Sequence, residues 1–229
     1  MIEMIRRFLR QKARSGGTLV LLALLAAMSG PSVAYSSAGG PGGGGYVALL
    51  VLAAASVSRD ASSGALQMIL ARPIRRTDYL FGRYLGIVLA FLGFTVVSVG
   101  IGLLVRTVWG PRGPLDLLQL AEGIGFASLW AAQMGATLVF FSTFLPGYGD
   151  AIALLVLQIF VSLRTNVTWM VKTSEAIGRE LLPAVSWERV FRGEPEAAAT
   201  AGRAALAATL FLVAAAVIFS RREFAYGRD

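Results

Sequence analysis

The sequence predicts an all-α, polytopic membrane protein: six transmembrane helices preceded by an amphipathic helix lying at the membrane interface. Three observations predict it. Hydrophobic residues make up 56% of the 229 and charged residues only 15%, against about 25% charged in soluble globular domains. The apolar residues fall in long runs, broken by short segments of glycine, proline and arginine. The arginines gather at the ends of those runs, where basic residues hold a loop on the cytoplasmic side.

Charge and composition narrow the chemistry. There are 21 Lys+Arg against 13 Asp+Glu, a formal net charge of +8. A basic balance also suits nucleic acid, but arginines at run ends fit lipid phosphates instead. Membrane lipids are therefore the expected partners, and nucleic acid is not. The chain has no Cys and no His. That excludes thiolate or imidazole metal sites, disulfides, c-type haem attachment and any Ser-His or Cys-His nucleophile pair. No cofactor or metal is expected in this chain. Scarce lysine with abundant Ala, Gly and Arg points to a GC-rich bacterial genome.

Each element has its own justification. Residues 1–16 begin with MIEMIRRFLRQKAR, in which Ile2, Ile5, Phe8 and Leu9 share one helical face and Arg6, Arg7, Arg10 and Arg14 take the rest. A basic amphipathic helix before an apolar run suits the cytoplasmic membrane surface. The first span is Leu19 to Ala34. Its basic start, short apolar stretch and Ser29-Gly30-Pro31-Ser32-Val33-Ala34 ending also describe a cleaved signal peptide; Pro31 is expected to kink or end the helix. Gly39 to Gly45 reads as a flexible loop outside the membrane. It is no phosphate cradle, because Tyr46-Val47 stand where a P-loop needs Lys and Ser/Thr.

The second span, Tyr46 to Ser58, is short for the ~20 residues that cross a bilayer. Its helix can start within the glycines or continue past Arg59, whose side chain can snorkel. Thr77 is placed to cap the third span, Leu80 to Val105. The fourth span runs from Leu118 to Phe144, beyond a turn rich in Gly and Pro. Asp150 is placed to cap the fifth, Ala151 to Leu163. The polar stretch 165–202 is expected outside the cytoplasm, and Ala204 to Phe219 forms the sixth span. Six spans put both termini in the cytoplasm with the basic loop at 59–83, in agreement with the positive-inside rule; of the cytoplasmic segments only the turn at Pro146 lacks positive charge.

Few groups are placed to do chemistry inside a bilayer. Glu122, Asp150 and Arg164 sit near span ends; Gln133 and Gln158 lie deeper and suit interhelical hydrogen bonds. Gly93, Gly100 and Gly102 in the third span, and Gly123, Gly125 and Gly135 in the fourth, suggest close helix approach.

The segment between the second and third spans carries the one specific pattern. Asp60 is followed by Gly64-Ala65-Leu66, Ile69-Leu70, Arg72-Pro73, Arg75-Arg76 and Gly82-Arg83-Tyr84-Leu85-Gly86. This order and spacing resembles the type-2 ATP-binding-cassette (ABC) exporter permeases. There an acidic residue precedes Gly-Thr-Leu, a Leu-Leu pair, Arg-Pro, a basic stretch and Leu-Gly-Lys-x-Leu-Gly. Ala65 and Asp60 depart mildly from the usual Thr and Glu. The match covers about 29 residues and is topological elsewhere.

The resemblance implies that 59–79 forms a cytoplasmic coupling loop, its short helix docking into a groove of a separate ABC-type ATPase. Leu66, Gln67, Ile69 and Leu70 would be the contact face, with Asp60, Gly64, Arg72, Pro73, Arg75 and Arg76 around it. It further implies a second permease copy or homologue, and substrate passing along the second and fifth spans. Ser56, Ser58, Gln158 and Ser162 then become path residues. No GxxxxGK[ST] and no LSGGQ-like signature occurs in the chain, so ATP and Mg are expected on the partner and no ATPase activity here. Two other readings stay open: an ATP-independent secondary transporter, which would need buried ion-coupling groups, and a membrane assembly or scaffold subunit.

Overall fold

The computed structural model describes residues 2–35, 42–53, 57, 60, 75–109, 117–145, 147–162, 172–173 and 194–221. The elements are helices: α1 (Ile2–Arg14), α2 (Gly16–Tyr35), α3 (Gly42–Ala53), α4 (Arg76–Trp109), α5 (Leu117–Ser142), α6 (Gly149–Ser162) and α7 (Pro195–Arg221). No strand occurs among the described residues. The all-helical class expected from the apolar runs is therefore the one observed.

Among the described residues two helices are long and apolar enough to cross a bilayer, Arg76–Val108 and Ala198–Arg221. Gly16–Ser29 and Ala127–Ser142 are shorter apolar stretches. The 14 residues of α6 reach about 21 Å at ~1.5 Å per residue, short of a ~30 Å hydrocarbon core.

Helix α4 is the hub. It packs on α1, α2, α3, α5 and α7, with α2 its most extensive neighbour. Its inward face buries Leu80, Ile87 and Phe91 completely. Phe91 meets Trp130 of α5 at 5.7 Å between ring centroids, and Trp130 in turn meets Tyr46 of α3 at 5.9 Å. The hydroxyls of Ser29 and Ser98 bond at 3.2 Å across the α2–α4 contact, and Tyr84 donates to the Ala132 carbonyl of α5 at 3.2 Å. The outward faces are apolar too. Val96, Val97 and Leu104 on α4, Ile152 and Val156 on α6, and Leu206, Leu210 and Val213 on α7 are each more than half exposed. A helix apolar on all sides belongs in a large protein's core or in a bilayer.

Several element boundaries differ from expectation. Helix α2 continues through Pro31 to Tyr35. Gly42 to Gly45, expected in a loop, form the first turn of α3. The helix expected as the second span thus starts within the glycines, one of the two options its shortness left open. Helix α4 begins at Arg76, so Thr77 lies inside the first turn and not at the cap. Likewise α6 begins at Gly149; Asp150 is fully buried in its first turn, and its Oδ1 accepts the Ala151 N–H at 2.8 Å. The last helix begins at Pro195, within the stretch expected to be polar and extramembranous. Proline suits the first helical position, where no N–H is needed, and Glu196 complements the dipole.

The glycines also behave differently from expectation. A Cβ added at Gly93, Gly100 or Gly125 would meet nothing within 4 Å, and at Gly135 only ordinary contacts of 3.7 Å. None of these four lets two helices of this chain approach unusually closely. Gly86 is the tight one: a Cβ there would stand 2.7 Å from Phe8 Cδ1.

Candidate functional site

The polar and charged groups converge where α1, the end of α3, the start of α4 and the end of α7 meet. Helix α1 brings Phe8, Gln11 and Lys12, which lie three or four residues apart and so share a face. Phe8, 1% exposed, packs on the bare backbone of Gly86. Met4 is buried beside it, while Ile2 is 75% and Leu9 37% exposed. The apolar face of α1 is thus split: one edge docks on α4 and the other stays open.

Asp60 is the centre. Its carboxylate is buried, and its Oδ2 accepts the Tyr79 hydroxyl at 2.7 Å. The same oxygen is ion-paired with the Arg83 guanidinium, itself only 7% exposed. Tyr79 and Arg83 stand four residues apart on α4, so one turn of helix presents both donors. The guanidinium has further partners. Its Nη1 donates to Gln11 Oε1 at 3.1 Å, and it lies over the rings of Phe8 and Tyr79, at 5.4 and 5.6 Å from their centroids. Planar, always charged and weakly hydrated, arginine suits such a position better than lysine does. A buried charge is tolerated only when paired and hydrogen-bonded, and Arg83 is both.

Neighbouring elements are tied in around this pair. Lys12 Nζ donates to the Val51 carbonyl at 3.1 Å, placing a cation near the C-terminal end of α3, where the helix dipole favours it. The Val57 N–H donates to Ser142 Oγ at 3.1 Å, pinning the chain after α3 to the end of α5. Tyr79 stacks on Phe219 of α7, with centroids 5.8 Å apart and planes 17° from parallel. Arg76 Nη1 donates to the Ser220 carbonyl at 3.1 Å. Asp60, the last described residue before Arg75, is therefore held to α1 and α4, and through Tyr79 to α7.

The expected site residues divide into three groups. Asp60 is brought into the cluster; Arg75 and Arg76 stand exposed at the start of α4. Gly64, Leu66, Gln67, Ile69, Leu70, Arg72 and Pro73 lie outside the described residues, as do Ser56 and Ser58. Gln158 and Ser162 fall on α6 by backbone, with side chains outside the description. Gln133 is buried in α5, 2% exposed. The cluster also contains residues that the sequence pattern did not single out: Phe8, Gln11, Tyr79 and Phe219. The i, i+4 spacing of Tyr79 and Arg83 was a readable signal; the pairing with Gln11, 72 positions away, was not.

Chemically this is a tie point. One carboxylate oxygen serves two donors, and the third arm of the network reaches a separate helix, so displacement of Asp60 is felt by α1 and α4 together. Among the described residues no group of three His, Cys, Asp or Glu is placed to hold a metal ion. No protein-family model matches the chain, and no curated protein matches it.

Proposed function

We propose that the chain is the membrane-spanning permease subunit of an ABC transporter in a bacterial inner membrane. In this reading it crosses the bilayer six times with both termini in the cytoplasm, and a separate ATPase supplies the energy. One observation carries the reading. Asp60, the acidic start of the pattern that resembles type-2 exporter permeases, is ion-paired with Arg83, which stands in the Gly82-Arg83-Tyr84-Leu85-Gly86 segment at the pattern's other end. The pattern's two ends are thus held together, and the proposed coupling loop lies between them in sequence. A loop anchored this way can pass a push from a docked ATPase into α4, the helix on which α1, α2, α3, α5 and α7 all pack. The outward apolar faces of α4, α6 and α7 support residence in a bilayer, since soluble monomers rarely leave such surface uncovered. A second copy or homologue is the proposed neighbour across the path lined by the second and fifth spans.

The test is recovery of the partner. Tagged chain, solubilised gently from its native membrane, should bring down an ATPase carrying Walker motifs, whereas the chain alone should hydrolyse no ATP. Replacing Leu66→Asp together with Leu70→Asp should abolish that recovery while leaving membrane insertion intact, because carboxylates buried in an apolar contact typically cost several kcal/mol. Folded, active chain recovered repeatedly without any ATPase would favour the secondary-transporter or scaffold reading instead.

A further inference from the structure

The surface of α7 carries a groove that the permease role leaves unused. It encloses about 450 Å³ where α7 passes the C-terminal part of α5, within the ~300–1,000 Å³ typical of small-ligand sites. Leu206, Leu210, Phe211 and Ala214 line it from α7, and Phe140 lines it from α5. The Phe140 and Phe211 rings meet at 5.3 Å between centroids. Leu206 and Leu210 are 60% and 61% exposed, so the apolar wall lies open. Arg203 is the one charged residue in the lining. It is exposed, and its guanidinium makes no hydrogen bond or ion pair with any described residue.

Residues 203, 206, 210 and 214 recur at helical spacing, so the arginine caps one end of an apolar strip on a single face. From Arg203 to Ala214 the strip runs about 16 Å along the helix at ~1.5 Å per residue. That is close to half of a ~30 Å hydrocarbon core, the depth of one leaflet. A cation at one end of an apolar trough one leaflet deep is complementary to an amphiphile with an anionic head. We infer that the groove holds a phospholipid with an anionic headgroup, drawn from the leaflet at the N-terminal end of α7. Its phosphate sits on the Arg203 guanidinium and one acyl chain runs along Leu206, Leu210 and Ala214. The inference goes beyond the permease reading and needs only that α7 lie in the bilayer.

The experiment uses the purified full-length chain in detergent micelles and phosphatidylglycerol with a photoactivatable acyl chain. Crosslinked peptides are mapped by mass spectrometry. The label should concentrate within residues 203–214 and at Phe140, and unlabelled phosphatidylglycerol should displace it better than phosphatidylcholine. Arg203→Gln should weaken phosphatidylglycerol binding about fivefold, the factor one arginine supplies near an anionic surface, and weaken phosphatidylcholine less, because the choline cation offsets its phosphate. Leu210→Trp, which fills the groove, should weaken both. The wild-type labelling pattern decides the matter even if a variant does not fold. Label spread evenly over the exposed faces of α4, α6 and α7 overturns the inference. So do equal competition by the two lipids, unchanged binding in both variants, or a second copy crosslinked through Leu206 or Leu210. None of these outcomes depends on whether an ATPase copurifies.

Discussion

Arg83 and Gly86 make sense only together. The glycine gives Phe8 room to lie flat on α4, and the seated α1 then places Phe8 and Gln11 around the Arg83 guanidinium. Removing either partner of the buried ion pair strands the other charge, which costs about 3–5 kcal/mol. Asp60→Asn and Arg83→Met should each destabilise by about that much, read from thermal unfolding in micelles. The double variant Asp60→Leu with Arg83→Met should lose less than the sum of the single losses, since no charge is left unpaired. Full additivity would mean that the two residues do not interact. Gly86→Ala forces Phe8 aside and should cost about 1–3 kcal/mol, as overpacking does. Gly100→Ala, which meets nothing within 4 Å, should be neutral or slightly stabilising because alanine favours a helix by up to ~1 kcal/mol. Equal losses at both positions would contradict the docking of α1. At this scale the sequence was partly legible. Asp60 and Arg83 both stood in one spaced pattern, but nothing local marks Gln11 or Phe8 as their neighbours, because those contacts span more than 50 positions.

The helices themselves were legible, since each of the six apolar runs falls largely within one of α2 to α7. Their ends were less so. Helix α2 continues through Pro31, and Gly42 to Gly45 join α3, although both residue types disfavour a helix interior. The first helix was readable as amphipathic, but not which part of its face is buried: Met4 and Phe8 dock while Ile2 and Leu9 stay exposed. This split makes α1 both a clasp on α4 and a surface helix. Phe8→Ala should therefore release α1 without unfolding the bundle. Hydrogen exchange should quicken at residues 4–14 and hold steady in α4 between 87 and 100. Unchanged protection of α1 would show that Phe8 is not what seats it.

For the whole molecule, composition and charge were enough to predict an all-helical chain with apolar outer faces, whereas most of the segment that carries the resemblance, residues 61–74, lies outside the described residues. The proposed orientation has a simple check, since the chain has no cysteine. A cysteine at Gly43 should react with an impermeant thiol reagent in intact cells, and one at Ile74 only after the inner face is opened. Labelling of position 74 from outside would reverse the topology derived from the arginines. The most direct test of the account is what residues 66 and 70 touch. A photo-crosslinking amino acid placed at Leu66, and separately at Leu70, should capture in native membranes a polypeptide with Walker motifs. Capture at neither position of anything but lipid or this same chain would contradict the proposal that a partner ATPase drives this protein through the loop clamped by Asp60 and Arg83.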